Sequence, residues 1–157
     1  MKRLLKLGMC IMIAAVVLNG CGGGDSKIET VVYEGEINGT KISSTINYLG
    51  DRVLKQKTVS VMNFADLGIT KDEMEQTVEQ YKKLYDIKGV NYRADITGDK
   101  ITETTIIDYE TADFYDLKAA KIITGAKKDG KILYVSYEQT VKNLESTGLT
   151  KNRVYIK

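Results

Sequence analysis

The one side chain whose type and surroundings specify a reaction is Cys21. It follows the apolar run Leu7 to Leu18 and closes the tetrad Leu18-Asn19-Gly20-Cys21, and Lys2, Arg3 and Lys6 precede the run. A basic start, an apolar stretch of about 7–15 residues and a small residue at the cleavage point describe a secretory signal. A spanning helix would need about 20 apolar residues. With a cysteine as the first residue after cleavage, the expected chemistry is thioether formation with a diacylglycerol. Two acyl chains hold a protein stably at a membrane, each buried CH2 contributing about 0.8 kcal/mol. Asn19 departs from the small residue usual at its position, and the alternative is retention of the run as a plain apolar anchor. Residues 1–20 are therefore read as a lipoprotein signal. Residues 21–27 are read as the lipidated cysteine and a Gly-rich flexible linker that lets the folded part swing clear of the headgroups.

Processing changes what composition allows. The full chain has 23 basic and 21 acidic residues. Lys2, Arg3 and Lys6 leave with the signal, so 20 basic face 21 acidic and the net charge becomes −1. No basic excess remains to mark a nucleic-acid partner. Of the two cysteines, Cys10 lies in the signal and Cys21 carries lipid, so the folded part has no thiol for a disulfide, a metal or nucleophilic attack. The chain has no His, which removes Ser-His-Asp and Cys-His catalysis and imidazole metal ligands. No cofactor is expected.

Carboxylates and tyrosines remain. Asp108, Glu110, Asp113 and Asp116 form the densest acidic stretch, but their spacing matches no EF-hand loop. A solvated strand-to-helix connection is the plainer reading. Asp95, Asp99 and Glu103 straddle one turn and could gather beside it or serve only to solubilise an edge. Paired carboxylates across a cleft, about 5–10 Å apart, would suit a glycosidase. Serines such as Ser136 and Ser146 sit in no recognisable hydrolase motif. Tyrosine is abundant, 10 against 2 Phe and no Trp. It joins apolar area to a polar tip and is enriched at interfaces. Tyr33, Tyr48, Tyr92 and Tyr109 all fall on expected strands. On an uncovered sheet face they would form an aromatic platform for a peptide or glycan; otherwise they line the seam between sheet and helices.

The elements that position these residues are legible. Val31, Tyr33 and Ile37 alternate with polar partners before Asn38-Gly39, a type I′ hairpin signal. Ile42 to Tyr48 returns, Gly50-Asp51 turns, and Val53 to Val61 completes a three-stranded meander. Thr70 and Glu73 form a capping box ahead of Met74, Val78, Tyr81 and Tyr85 at helical spacing, with Gly89 as a stop. Val90 to Ile96, a Gly98-Asp99 turn and Ile101 to Tyr109 make a second hairpin. Tyr48 to Val53 weakly echoes Ile96 to Ile101, as a duplication or as two generic Gly-Asp turns. Phe114 to Ile123 is ambiguous between a short helix and a helix leading into extended chain. Asp129-Gly130 marks a turn, and Ile132 to Val135 a short strand. Ser136 with Gln139 resembles another capping box, ahead of a helix carrying Tyr137, Val141 and Leu144 and closed by Gly148. Val154 and Ile156 suggest a last strand. The expectation is one α+β domain over residues 28–157, an antiparallel sheet with two main helices packed on one face.

Several of these segments resemble the YehR-like lipoproteins, small bacterial envelope proteins of unknown function. They are the signal ending in Cys21, Tyr33-Glu34-Gly35-Glu36 with Asn38-Gly39, Tyr48-Leu49-Gly50-Asp51-Arg52-Val53, Leu67 to Glu73, Lys88-Gly89-Val90, and Thr140 to Gly148. The resemblance spans nearly the whole mature chain and implies a compact α+β domain on a lipid tether. It offers no catalytic residues. The functional expectation is a monomeric, non-enzymatic binding or interaction module on the extracytoplasmic face of a membrane, meeting an envelope protein, a peptide or a glycan. The rivals are a carboxylate-based envelope hydrolase and a structural or chaperone component.

Overall fold

The computed structural model describes residues 27–123 and 133–156. The signal, Cys21 and the Asp129-Gly130 turn lie outside the described residues. β1 (Glu29–Ile37), β2 (Thr40–Leu49) and β3 (Arg52–Asn63) form the expected meander. Asn38 (φ 50°) and Gly39 (φ 78°) both take the left-handed backbone that a type I′ turn requires. After β3 come α1 (Phe64–Leu67) and α2 (Lys71–Leu84), then the hairpin of β4 (Val90–Thr97) and β5 (Lys100–Asp108). α3 (Phe114–Ala119), β6 (Val135–Ser136), α4 (Tyr137–Ser146) and β7 (Thr150–Ile156) complete the chain.

The strands make one antiparallel sheet in the order β4-β5-β3-β2-β1-β7, with β6 pairing the start of β3. Two long-range pairings close it. β5 runs beside β3 from Lys55↔Asp108 to Asn63↔Lys100, and β7 returns to the outer edge of β1. The register gives the sheet a proximal end, where β1 begins just after Lys27, the first described residue. The β2–β3 turn, the end of β5 and the start of β4 lie at this same end.

Alternation decides which face is covered. Beyond Val53 and Leu54 at the bulged start of β3, the buried members of β1, β2, β3 and β5 are Val31 and Tyr33, Ile42 to Tyr48 at even positions, Gln56 to Met62 at even positions, and Ile101 to Ile107 at odd positions. The register places them all on one side. α2 and α4 bury Met74, Val78 and Leu144 against that side, in two separate apolar clusters. An antiparallel sheet can leave its other face to water in this way.

Local signals hold where short-range hydrogen bonds suffice. Thr70 and Glu73 make the reciprocal capping box. Ser136 caps α4 by accepting from the Gln139 N–H, while the Gln139 side chain donates to Asn143 instead of reaching back. The α4 terminus is a Schellman turn: Gly148 N–H donates to Glu145 and Leu149 N–H to Leu144, with both leucines buried. Gly89 does not end a helix, since α2 stops at Leu84. It has φ +80°, and a Cβ there would lie 2.6 Å from the Ala112 backbone, so it permits a close crossing at the start of β4. Phe114 to Ile123 resolves as a short helix capped by Asp113, followed by a turn into Ile123. α1 carries only four residues and no side-chain cap, so no periodicity announces it.

Candidate functional site

Reading across the covered face by register gives successive rows. One is Val31–Ile46–Gln56–Ile107–Val90, the next Tyr33–Ser44–Thr58–Thr105–Tyr92, and the third Gly35–Ile42–Ser60–Glu103–Ala94. The middle of a covered sheet is ordinarily apolar. Here Ser44, Gln56, Thr58, Ser60, Glu103 and Thr105 form a polar strip there, and each is at most 4 % exposed. Met62, Phe64 and Ile101 bound it on one side, and Val31, Ile46 and Ile107 on the other.

Buried polar atoms require partners. Gln56 is satisfied on both sides: its Nε2 donates to Ser44 Oγ at 3.0 Å, and its Oε1 accepts from the Tyr109 hydroxyl at 3.2 Å. Tyr92 donates its hydroxyl to Glu103 Oε1. Thr58 Oγ1 is the exception. It lies in the centre of the strip, in a residue 4 % exposed, with no hydrogen-bond partner among the described residues. Leaving a buried hydroxyl unsatisfied costs about 1–3 kcal/mol.

The four strand tyrosines do share a face, but it is the covered one. Tyr33, Tyr48 and Tyr109 are buried and Tyr92 is half-buried. The open aromatic platform is thus corrected to a seam between sheet and helices, because even-numbered residues of β1 and odd-numbered ones of β2 face the uncovered side. The seam is nonetheless organised. Tyr33 and Tyr92 end the Ser-Thr-Thr row, and Tyr109 reaches it through Gln56. Tyr33 donates to Glu145 at 3.3 Å, and Tyr48 donates to Glu29 at 3.1 Å and stacks on Tyr137 at 3.6 Å. Tyr92 packs against Tyr85 (5.0 Å between centroids) and Tyr81 (6.2 Å) on α2 and its end.

Burial pushes the Tyr33, Tyr48 and Tyr109 hydroxyls above their ordinary value. Tyr137 and Glu145 reinforce the rise at Tyr33, and Tyr137 and Glu29 reinforce it at Tyr48. For Tyr109 the whole shift comes from burial. These hydroxyls stay protonated at neutral pH and act as donors, not as bases or nucleophiles.

Glu103 is the single buried carboxylate among the described residues, so the strip holds no facing carboxylate pair of the kind a glycosidase uses. The other acidic residues disperse. Asp95 points to the open face and pairs with Arg93 at 2.8 Å, Asp99 sits at the hairpin tip, and Glu103 turns inward. Asp108 accepts from the Glu110 N–H, and Asp113 accepts from the N–H groups of Tyr115 and Asp116 as the α3 cap. That is the structural connection weighed against a cation site. No group of three or more metal-ligating side chains gathers among the described residues. On the uncovered face, Glu34, Glu36, Lys41, Ser43, Val59 and Val61 line a shallow hollow of about 350 Å³ that is open to solvent.

The tyrosines are visible in the sequence, but the strip is not. Ser44 reads as a lone polar member of an apolar half-strand, whereas Thr58 and Ser60 look like the polar half beside Val59 and Val61. Only the β3–β5 pairing and the helix cover turn them inward together.

These features define a small α+β domain whose helices cover one face of an antiparallel sheet. The chain belongs to the family described as "Protein of unknown function (DUF1307)", whose model matches residues 29–150. It is 33% identical over 133 residues to "Uncharacterized lipoprotein YehR" of Escherichia coli (strain K12), covering 83% of this chain and 86% of that one. It is 32% identical over 152 residues to "Uncharacterized lipoprotein Lin0239" of Listeria innocua, covering 93% and 95%. The NMR structure of E. coli YehR superposes with a TM-score of 0.62 at 27% identity, over 82% of this chain and 92% of that one. The expected α+β fold and the expected family both stand, and the relatives carry lipoprotein names without an enzymatic one.

Proposed function

We propose that this chain is a lipid-tethered, extracytoplasmic binding module that acts without catalysis, with the polar strip beneath α2 and α4 as its ligand seat. The observation that carries the reading is Thr58 Oγ1, a buried hydroxyl without a partner among the described residues, at the centre of a layer of polar side chains. A core selected for stability alone gains by apolar residues there. A site that receives hydroxyl or amide groups from a ligand needs unfilled polar capacity, surrounded by apolar walls and a few placed donors and acceptors. The chemistry suits a neutral polar ligand such as a glycan unit or a peptide backbone. The lipid tether rests on the signal pattern ending in Cys21 and on the lipoprotein names of the relatives. Residues 1–20 are then a cleaved signal, and residues 28–157 the working domain.

Isotope-labelled protein titrated with cell-wall glycan fragments and short peptides tests the seat. Binding should move the amides of Thr58, Ser60 and Thr105 and the ring signals of Tyr92 and Tyr109. A ligand that bound while leaving all of these unmoved would place the site elsewhere. The tether has its own test: Cys21→Ser should abolish lipid labelling and release the protein from membranes, whereas unchanged retention would favour a plain apolar anchor.

A further inference from the structure

Among the described residues the exposed large apolar side chains are Ile28, Leu49, Leu84 and Tyr115, at 49, 37, 43 and 74 % exposure. The topology puts all four at one end of the molecule. Ile28 immediately precedes β1, and Leu49 ends β2 beside it, since Glu29 pairs with Tyr48. Leu84 ends α2 just before β4 begins, and Tyr115 opens α3 just after β5 ends. Both of those strand ends are proximal, because Val90 pairs with Ile107 and Asp108 with Lys55. Scattered apolar residues on a surface are ordinary. Their confinement to the end that receives the tether is not.

Chain length makes a lipid surface the occupant. From Cys21 to Lys27 the chain spans at most about 20 Å when fully extended, and about 13 Å as a Gly-rich coil. A headgroup layer is about 5–8 Å deep on each side of the hydrocarbon. The linker therefore keeps the proximal end within about 5–15 Å of the headgroups, near enough that a modest apolar attraction seats it there. We infer that the domain docks this end on the membrane through Ile28, Leu49, Leu84 and Tyr115, standing with its sheet strands directed away from the bilayer. Tyrosine suits the contact, since its ring enters the interface while its hydroxyl stays wet. Lys27, Arg52 and Lys55 alternate there with Glu29, Asp51 and Asp108, so the contact is apolar in character and insensitive to anionic lipid. The inference rests on the proposed tether at Cys21.

The test uses the processed, lipidated protein in vesicles of phosphatidylethanolamine with and without phosphatidylglycerol. Leu49→Cys and, at the distal hairpin tip, Asp99→Cys are reacted with a membrane-impermeant maleimide, and vesicle flotation is measured in parallel. Docking predicts that Leu49→Cys reacts about tenfold more slowly in vesicles than in unlipidated protein made without residues 1–20 and carrying Cys21→Ser, the protection of an end seated about nine-tenths of the time. Asp99→Cys should react equally in both, and phosphatidylglycerol should change neither rate. Adding Leu84→Ser and Tyr115→Ser should restore the Leu49→Cys rate. Protection that survives those two changes would mean mere proximity to the bilayer and would overturn docking. So would equal rates at the two ends of a floated protein, a requirement for phosphatidylglycerol, or protection without vesicles, which would point to a second copy. A protein that fails to float removes the tether and the docking with it.

Discussion

Replacing Thr58 by Val removes one hydroxyl and keeps the branched shape. In most cores this substitution breaks a hydrogen bond and destabilises. Here the hydroxyl is buried without a partner among the described residues, so nothing is lost on the protein side. The unsatisfied group costs about 1–3 kcal/mol in the folded state, and a methyl in its place also gains apolar burial. The expected change is a stabilisation of about 1–2 kcal/mol, after allowing for imperfect fit of the methyl between Ser44 and Thr105. For a domain of this size, that raises the melting temperature by about 3–8 °C. Thermal and urea denaturation followed by circular dichroism would read it, with the urea slope unchanged. The same variant should bind the ligand of the strip more weakly, so stability and binding move in opposite directions. A Thr58→Val protein that melts at the wild-type temperature or below it would refute the premise that this hydroxyl is held in reserve for a ligand.

The remaining expectations concern the frame around the strip. Tyr109→Phe leaves Gln56 Oε1 without its donor, and should cost about 1–3 kcal/mol in chemical denaturation while keeping the fold. Gly89→Ala forces a side chain onto a backbone with φ +80° and against Ala112. It should cost about 3 kcal/mol or fail to fold, as read by urea midpoint or soluble yield. Burial raises the Tyr33, Tyr48 and Tyr109 hydroxyls. The fold favours their protonated forms, so this stability is complete below the unfolded value of about 10 and is lost as pH climbs from there through the raised folded values. Denaturation midpoints should therefore fall above about pH 10, with tyrosinate absorbance appearing together with unfolding.

Much of the architecture is legible in local pattern. Asn38-Gly39, the Thr70–Glu73 box, the Ser136 cap and the Gly148 terminus each depend on residues within a few positions of one another, so composition and spacing suffice. The same holds for the strand alternation of β1 to β5. Gly89 reads as a helix stop because a glycine that ends a helix and one that admits a crossing chain look the same in sequence. Its partner, Ala112, lies 23 positions away.

Tertiary structure alone decided which face would be covered. The alternation of Ser44, Thr58, Ser60 and Thr105 with their neighbours fixes two faces for each strand but not which one meets a helix. That choice depended on β3 pairing with β5 and on α2 and α4 settling over the same side. Thr58 and Thr105 stand 47 positions apart in sequence and directly opposite one another in the sheet. Contacts of that separation are set by the burial of the whole face at once. Local chemistry therefore announced the turns and the caps, while the polar strip and the apolar proximal end exist only because distant strands share one register.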